Sequence, residues 1–406
     1  MALTLISLLG RTPRDTKGGY RTTRHSFPDG YQEQPSAFFG WSLRNWLRPK
    51  PERMVILGTA GSMWDYLFET ADHEGALEEP RLELQEPTER KQVTQALLDR
   101  WAPLLQQRLG FQLRLLIIPY GRDEAEPLRI VEAIAEQVAE GDRVHLDVTH
   151  GFRHLPMLAL VAALYLRKVR RADIQAIWYA AFDPDTGEAP VYDLKGLLHM
   201  ADWVGALQSF DKDGDYGVFA ALLQGRWATA ELASLREAAY LERVSRITEA
   251  QGRLRGVDAA LSREPAGGVA GLFTPRLRER IAWIHGQSLY QRQRALAVRN
   301  LEQADYLRAT VFAYESFVTR QVQQQGGDPT DHARRDAVRR ELEKHMTDFK
   351  HKGPQVADYR LLQGLRNHFA HGTRAGRGEV EQVAASADRV RSELARLISS
   401  LLPDQR

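Results

Sequence analysis

Near its C-terminus the chain carries GLRNHFAHG, Gly364 to Gly372, which sets a permanently charged arginine, Arg366, five residues ahead of a titratable histidine, His371. At about 100° per residue, Asn367 and His371 lie one turn apart on a single helical face, with Arg366 on its flank. Gly372 is a natural helix stop, so His371 stands at a helix C-terminus, where the dipole favours the imidazolium form. Ala370 is small and leaves room beside His371 for a substrate or a partner helix, while Leu365 and Phe369 take core-facing positions. His368 points elsewhere and reads as a surface or interface histidine. The bare spacing Arg-x-x-x-x-His also occurs at Arg280/His285 and Arg340/His345, and 12 His in an Arg-rich chain produce such pairs by chance. Only the pair Arg366/His371 has Asn after the Arg and Ala before the His. The structural alternative is a capped helix with an incidental histidine, and for the other two pairs that reading is preferred.

Three more stretches put small and polar residues straight after apolar runs: Gly10-Arg11-Thr12, Gly58-Thr59-Ala60-Gly61-Ser62 and Thr149-His150-Gly151-Phe152-Arg153. Strands of an open parallel sheet point their carboxyl ends at a shared crevice, and ligands bind there. Gly58 and Gly61 allow close backbone approach, and the free N–H groups of a following helix attract phosphate. Thr59, Ser62 and Thr149 add hydroxyls, Arg11 and Arg153 suit phosphate oxygens, and His150 suits a base or ribose. The bland counterpart is that glycines end strands in any doubly wound fold. No GxGxxG and no GxxxxGK[ST] occurs, so ordinary dinucleotide binding and a Walker-type nucleotidase are not indicated.

The elements that must position these residues follow from periodicity. Leu3 to Leu9, Met54 to Leu57, Leu113 to Ile118, Val144 to Val148 and Ile174 to Ala180 read as strands, most of them nearly continuous apolar runs. Ser36 to Leu47, Arg90 to Leu109, Pro127 to Ala139 and Leu155 to Lys168 read as helices, the second kinked at Pro103; residues 11–35 read as a long loop or hairpin. The alternation predicts crossover units and a parallel sheet. Residues 211–217, polar and turn-rich, suit a domain junction. Beyond Val218 the reading is helical throughout: Ala220 to Gln251, Pro275 to Gln321, His332 to Phe349, Val356 to Phe369 and Glu379 to Leu402. The predicted fold is an N-terminal Rossmann-like α/β domain over residues 1–205 and an all-α domain over 206–406, joined around 205–217.

The 406 residues are 43% hydrophobic and 27% charged, which is ordinary globular usage and long enough for a buried core. There is no cysteine, which removes thiol nucleophiles, thiolate zinc sites and disulfides and fits a reducing cytoplasm. The formal charge is only +2, although 46 of 55 basic residues are Arg. Any nucleic-acid contact is therefore expected in a local cleft, not over the whole surface. The opening MALTLISLLGRTPRD lacks a basic leader and a long apolar core, and no run of about 18 uncharged apolar residues exists, so neither a signal peptide nor a membrane span is expected. Leu155 to Leu166, the most apolar run, is short and abuts Arg167 to Arg171.

The segment LDVTHGFRHLPML, Leu146 to Leu158, resembles the strand–loop–helix signature of CRISPR-associated Rossmann-fold (CARF) domains. LISLLGRT and VILGTAGS stand where that family has its first two ligand-contacting strand ends. The likeness covers about residues 1–200. It implies a dimeric sensor that binds a cyclic oligoadenylate across its two-fold axis, cyclic tetra-adenylate ahead of the hexa-adenylate, with Gly10, Arg11, Thr12, Gly58, Thr59, Thr149, His150, Gly151, Phe152 and Arg153 at the pocket. The motif Arg366-Asn367-His368-Phe369-Ala370-His371 resembles the Arg-Asn-x-x-Ala-His form of the HEPN ribonucleases at every specified position. Together the halves resemble the CARF–HEPN effectors of type III CRISPR systems.

That resemblance implies cleavage of single-stranded RNA without a metal, the 2′-hydroxyl attacking the adjacent phosphate to leave a 2′,3′-cyclic phosphate and a 5′-hydroxyl. Arg366 would stabilise charge on the phosphoryl oxygens, His371 would move a proton, and Asn367 would orient substrate or histidine. Two copies pair across a homodimer, and larger assemblies are open. Arg360, Arg374 and Arg377 are candidates to hold the RNA backbone. Two alternatives stand beside this reading: a ring-sensing regulator that binds nucleic acid without cutting, and a sensor that also degrades its activator with help from His150 or Thr149. A metal site at His145, Asp147, His150 and His154 is a weaker option.

Overall fold

The computed structural model describes residues 2–16, 19–71, 75–263, 267–347, 354–372 and 378–404. The chain divides into two compact units, Met1–Leu198 and His199–Arg406.

Among the described residues the first unit has seven strands: β1 (Leu3–Leu9), β2 (Arg24–Ser26), β3 (Arg53–Gly58), β4 (Gln112–Ile117), β5 (Arg143–Asp147), β6 (Asp173–Ala180) and β7 (Glu188–Asp193). Their order is β2-β7-β6-β5-β1-β3-β4. The run β6-β5-β1-β3-β4 is wholly parallel, β7 lies antiparallel to β6, and β2 is parallel to β7 at the edge. The expected parallel sheet is therefore a parallel core with one reversed pair. β1 sits inside the parallel core with every residue buried, as its nearly continuous apolar run requires. Its side chains alternate between two cores. Leu5 and Leu9 join Phe38, Phe39, Met54 and Trp64 on one face, and Ile6 and Leu8 join Val55, Val144, Leu146 and Ala159 on the other.

The helices Phe39–Trp46, Trp64–Thr70, Glu78–Arg90 and Gln95–Leu109 cover the first face, and Glu126–Ala135 and Leu155–Val169 the second. The expected helix Arg90 to Leu109 is corrected. One helix ends at Arg90, Lys91 turns the chain with φ 58°, and a new helix starts after Thr94, whose hydroxyl accepts from the Leu97 N–H. The stretch 11–35, expected as a long loop or hairpin, contributes the three-residue strand β2, too short to show an alternation.

The second unit is helical, with no strand among the described residues. Its helices are Gly196–Asp213, Thr229–Arg243, Ile247–Arg263, Gly268–Ile281, Leu289–Glu302, Tyr306–Gln324, His332–Thr347, Pro354–His371, Glu379–Ala384 and Ala387–Leu401. Three long expected helices break. Ser245 (φ 61°) interrupts Ala220 to Gln251, and Ala304 (φ 59°) follows the end of Leu289–Glu302 within Pro275 to Gln321. Within Glu379 to Leu402 the hydroxyl of Ser386 caps a fresh start by accepting from the Arg389 N–H. Neither Ser nor Ala in the left-handed region announces a chain reversal as glycine would. Phe349, the expected end of the helix from His332, lies outside the described residues. The division between units falls ahead of the turn-rich segment 211–217, because Gly196–Asp213 is helical: Leu198 belongs to a core of the first unit, Trp203 and Phe210 to that of the second.

Candidate functional site

Two constellations carry chemistry. The first lies along the carboxyl ends of the parallel strands. Gly10 follows β1, and a Cβ there would stand 2.6 Å from the backbone nitrogen of Gly151, so the loops after β1 and β5 touch backbone to backbone. Beneath them Ser7 and Asp147 are cross-strand partners in the β1–β5 register, both buried. The Ser7 hydroxyl donates to Asp147 Oδ2, and the Thr149 N–H donates to Oδ1 over 2.9 Å. Burial pushes the Asp147 carboxyl up to about 6, against the pull of those bonds. Asp147 therefore anchors the loop that carries Thr149 to Arg153.

That loop borders a cavity of about 390 Å³ whose walls include Thr12, Arg21, His25, Thr149, His150 and Phe182. Thr149 accepts from the Ala180 N–H at 2.9 Å, tying β5 to β6. His150 Nε2 accepts from the Phe39 N–H at 2.9 Å. That acceptance requires a neutral ring, and burial, with His25 nearby, lowers its pKa to about 3. Burial likewise lowers His25, whose Nδ1 faces the Ser42 hydroxyl at 3.0 Å, to about 4. The cavity is thus lined by neutral imidazoles, with charge supplied by Arg21, stacked 5.0 Å over Phe182.

Of the ten residues expected at this pocket, Thr12, Thr149 and His150 line the cavity together. Gly10 and Gly151 mark where the loops after β1 and β5 meet and are not in the cavity wall. Gly58 and Thr59 form a buried turn instead. Ser62 Oγ accepts from the Thr59 N–H at 2.9 Å and donates to Leu9 O at 2.6 Å, and Trp64 Nε1 donates to Thr59 O at 2.8 Å. Thr59 is 4% exposed, so its hydroxyl serves the turn. Arg11 is exposed and reaches Thr88 O at 3.4 Å; Phe152 and Arg153 are exposed outside the cavity wall. Arg21, His25 and Phe182 were not anticipated. The first two come from the aperiodic stretch 11–35, and only fold topology brings them to the crest. The four residues weighed as metal ligands do not converge: His145 accepts from Trp178 Nε1 at 3.1 Å, and Asp147 and His150 are engaged as above. Among the described residues no three His, Cys, Asp or Glu side chains group to hold a metal ion.

The second constellation is on the helix Pro354–His371. Its inner face is fixed by Tyr359, Leu362 and Leu365, all buried, and by Asp358, which accepts from Arg396 at 2.7 Å and Ser400 at 2.6 Å. At Gly364 a Cβ would meet Val380 at 2.6 Å, so the helix Glu379–Ala384 packs against it closely. The helix ends at His371: Gly372 takes φ 61° and its N–H bonds His368 O at 3.0 Å. Asn367, Ala370 and His371 are exposed on the outer side. Arg366 is half-buried, its guanidinium 5.5 Å over the ring of Tyr314, and it donates to Asn367 Oδ1 at 3.0 Å. Tyr314 is itself held by the buried Tyr359, whose hydroxyl lies 3.3 Å away. Asn367 therefore orients the arginine, and Tyr314 is a support that no local sequence pattern reveals.

The other Arg/His pairs differ. Arg280 is ion-paired with Asp211, and His285 lies 3.5 Å from Asp258. The side chain of His345 lies outside the described residues, as do Arg374 and Arg377. Arg360 is exposed. No helix among the described residues is long and apolar enough to cross a membrane.

Residues 4–184 match the family model of the CARF domain of the CRISPR system endoribonuclease Csx1. CRISPR-associated protein MJ1674 of Methanocaldococcus jannaschii is 25% identical over 248 residues, 55% of this chain and 38% of the relative, so the chain spans well under half of that curated relative. Csm6 of Enterococcus italicus, solved bound to cyclic hexa-2′-fluoro-hexa-dAMP, aligns with 100% of this chain and 95% of its own at a TM-score of 0.38 and 11% identity. The match spans most of the first unit, which is a CARF domain like that of Csx1, and the chain is similar to CARF-containing effectors of type III CRISPR systems.

Proposed function

We propose that the chain is a cyclic-oligoadenylate-activated, metal-independent endoribonuclease of single-stranded RNA, with a CARF sensor over residues 1–205 and a HEPN nuclease over 206–406, working as a cytoplasmic homodimer. The observation that carries the reading is the end of the helix Pro354–His371. A half-buried guanidinium, held against Tyr314 and Asn367, and an exposed imidazole stand within a turn and a half of each other on a helix pinned to its neighbours. Arg366, always charged and already braced by Tyr314 and Asn367, stabilises negative charge on the phosphoryl oxygens as the 2′-hydroxyl attacks. His371, solvent-exposed at a helix C-terminus, is the group that moves a proton, either from the 2′-hydroxyl or to the leaving 5′-oxygen.

One chain offers one such pair, and two copies complete a cleft. The outer face of the helix Leu155–Val169 supports the homodimer: Met157, Val161, Tyr165 and Val169 recur every four residues and are 70, 53, 37 and 60% exposed. An apolar stripe of that length is a partner surface, and a second copy offers the same stripe about a two-fold axis. Activation requires that the ring bind the cutting pose more tightly than the idle one.

The reading in which the sensor degrades its own activator gains nothing from His150, since a ring that accepts a backbone N–H and titrates near 3 is a poor proton carrier at neutral pH. The deciding experiment incubates the protein with single-stranded RNA, EDTA and either cyclic tetra-adenylate or cyclic hexa-adenylate. One ring should accelerate cutting and yield cyclic-phosphate ends. His371→Ala should bind the ring, dimerise and lose at least about a hundredfold in rate. Undiminished cleavage in that variant would falsify the assignment.

A further inference from the structure

Among the described residues the sheet ends at β4, whose far side pairs with no strand. Towards β3 the even-numbered residues carry the bonds: the Gln112 N–H donates to Glu52 O at 3.3 Å and the Ile118 N–H to Gly58 O at 2.9 Å. Backbone groups alternate sides along a strand, so Leu113, Leu115 and Ile117 turn theirs to the open edge. The strand is six residues long and reads Gln-Leu-Arg-Leu-Leu-Ile, with no proline. Its one charge, Arg114, donates to Gln137 Oε1 at 3.0 Å. A regular, mostly apolar edge of this length is a template for pairing with another chain.

Two glutamines of the helix Gln95–Leu109 occupy that edge. Gln95 Oε1 accepts from the Ile117 N–H at 2.8 Å, and its Nε2 donates to Leu115 O at 2.8 Å. In a parallel ladder a residue's own C=O and N–H make these two bonds to the residues on either side of its partner. The Gln95 amide therefore stands where the backbone of a parallel neighbour opposite Leu116 would stand. Nε2 also donates to Asp99 Oδ1 at 2.9 Å, one helical turn on, which fixes the way the amide faces. About three turns along the helix, Gln106 Oε1 accepts from the Leu113 N–H at 2.9 Å. Each of the three outward-turned residues thus has a backbone group bonded by a side chain.

We propose that Gln95 and Gln106 are an edge guard: their amides take the place of a next strand and keep β4 from pairing with β4 of a second copy. A two-fold axis sets two such edges antiparallel, with the outward groups of one strand facing those of the other, so a second copy is the partner this edge fits. The guard reserves self-association for other faces of the unit, the stripe on Leu155–Val169 among them. It is independent of the activity proposed above.

The test compares the full chain with a double variant, Gln95→Met with Gln106→Met, which keeps side-chain length and helix preference but has no amide at either position. In dilute solution the Leu113 and Ile117 amides of the variant should exchange about two- to tenfold faster than in wild type, the share of one net hydrogen bond each. As concentration rises the variant should sediment as larger species than wild type, and those two amides should regain protection. Gln95→Glu keeps an acceptor for the Ile117 N–H and brings a charge to the edge, so it should stay at the wild-type size. A double variant of wild-type size at every concentration overturns the guard. Association without renewed protection at Leu113 and Ile117 overturns it too, because the contact then lies elsewhere. Gln106→Met alone, at an exposed position, should show the same effects more weakly and decides the matter if the double variant does not fold.

Discussion

Replacing Asp147 by asparagine should make the sheet of the first unit more stable at neutral pH, by an amount that vanishes in acid. The side chain is 1% exposed between β1 and β5 and is hydrogen-bonded by the Ser7 hydroxyl and the Thr149 N–H. Burial raises its carboxyl from the ordinary 3.8 to about 6. Between those values the folded protein holds a proton that the unfolded chain has released, so stability falls as pH rises through this window and stays low above it. The size of the loss at pH 7 and above is about 3 kcal/mol, at about 1.36 kcal/mol for each tenfold change in proton affinity. Asparagine has the shape of the protonated acid and can meet both partners, so it should recover that amount near pH 7.5 and give nothing near pH 4. Because the chain has two units, a single unfolding midpoint is a poor measure. Hydrogen exchange of the β1 and β5 amides, corrected for intrinsic rates, reads the local opening free energy directly. A variant less protected than wild type at pH 7.5, or a difference between the two that is the same at both pH values, would refute the reasoning.

Two further outcomes follow from the contacts described above. Tyr314→Leu removes the ring beneath Arg366 and should lower kcat several-fold to about thirtyfold with little change in KM, the span of a cation–π contact at a partly desolvated site, while Tyr314→Phe keeps the ring and most of the rate; steady-state kinetics on a short RNA reads the split. Val161→Glu sets like charges against each other at the centre of the exposed stripe on Leu155–Val169, so sedimentation should find monomers at concentrations where wild type is dimeric.

The candidate catalytic stretch was legible because its information is local. A helix of known period, ended by a glycine, puts Asn367 and His371 on one side and Leu365 on the other, and the structure has that arrangement. β1 and β3 were legible for a similar reason, since strands covered on both faces are nearly unbroken apolar runs. What escaped is long-range. Tyr314 supports Arg366 from another helix, and Arg21 and His25 reach the cavity from a stretch with no periodicity. The helix boundaries at Ser245 and Ala304 escaped because residues of ordinary type adopt a left-handed turn there, a cost that the surrounding packing sustains and composition does not display. Thr59 shows the converse limit: a hydroxyl next to glycines at a strand end looks available in the sequence, yet Ser62 and Trp64 close its turn inward.

The meeting of Gly10 with Gly151 constrains how this domain can respond. The nearest atom to any side chain at position 10 would be main chain, which has no alternative rotamer to yield space. Two loops about 140 residues apart along the polypeptide therefore behave as one mechanical part, and a ligand that lifts the turn at His150–Arg153 must either break this contact or carry the tip of the central strand along. Drift at either position is closed off for the same reason, so variation among proteins built this way should collect on the rim around that junction and leave the junction alone.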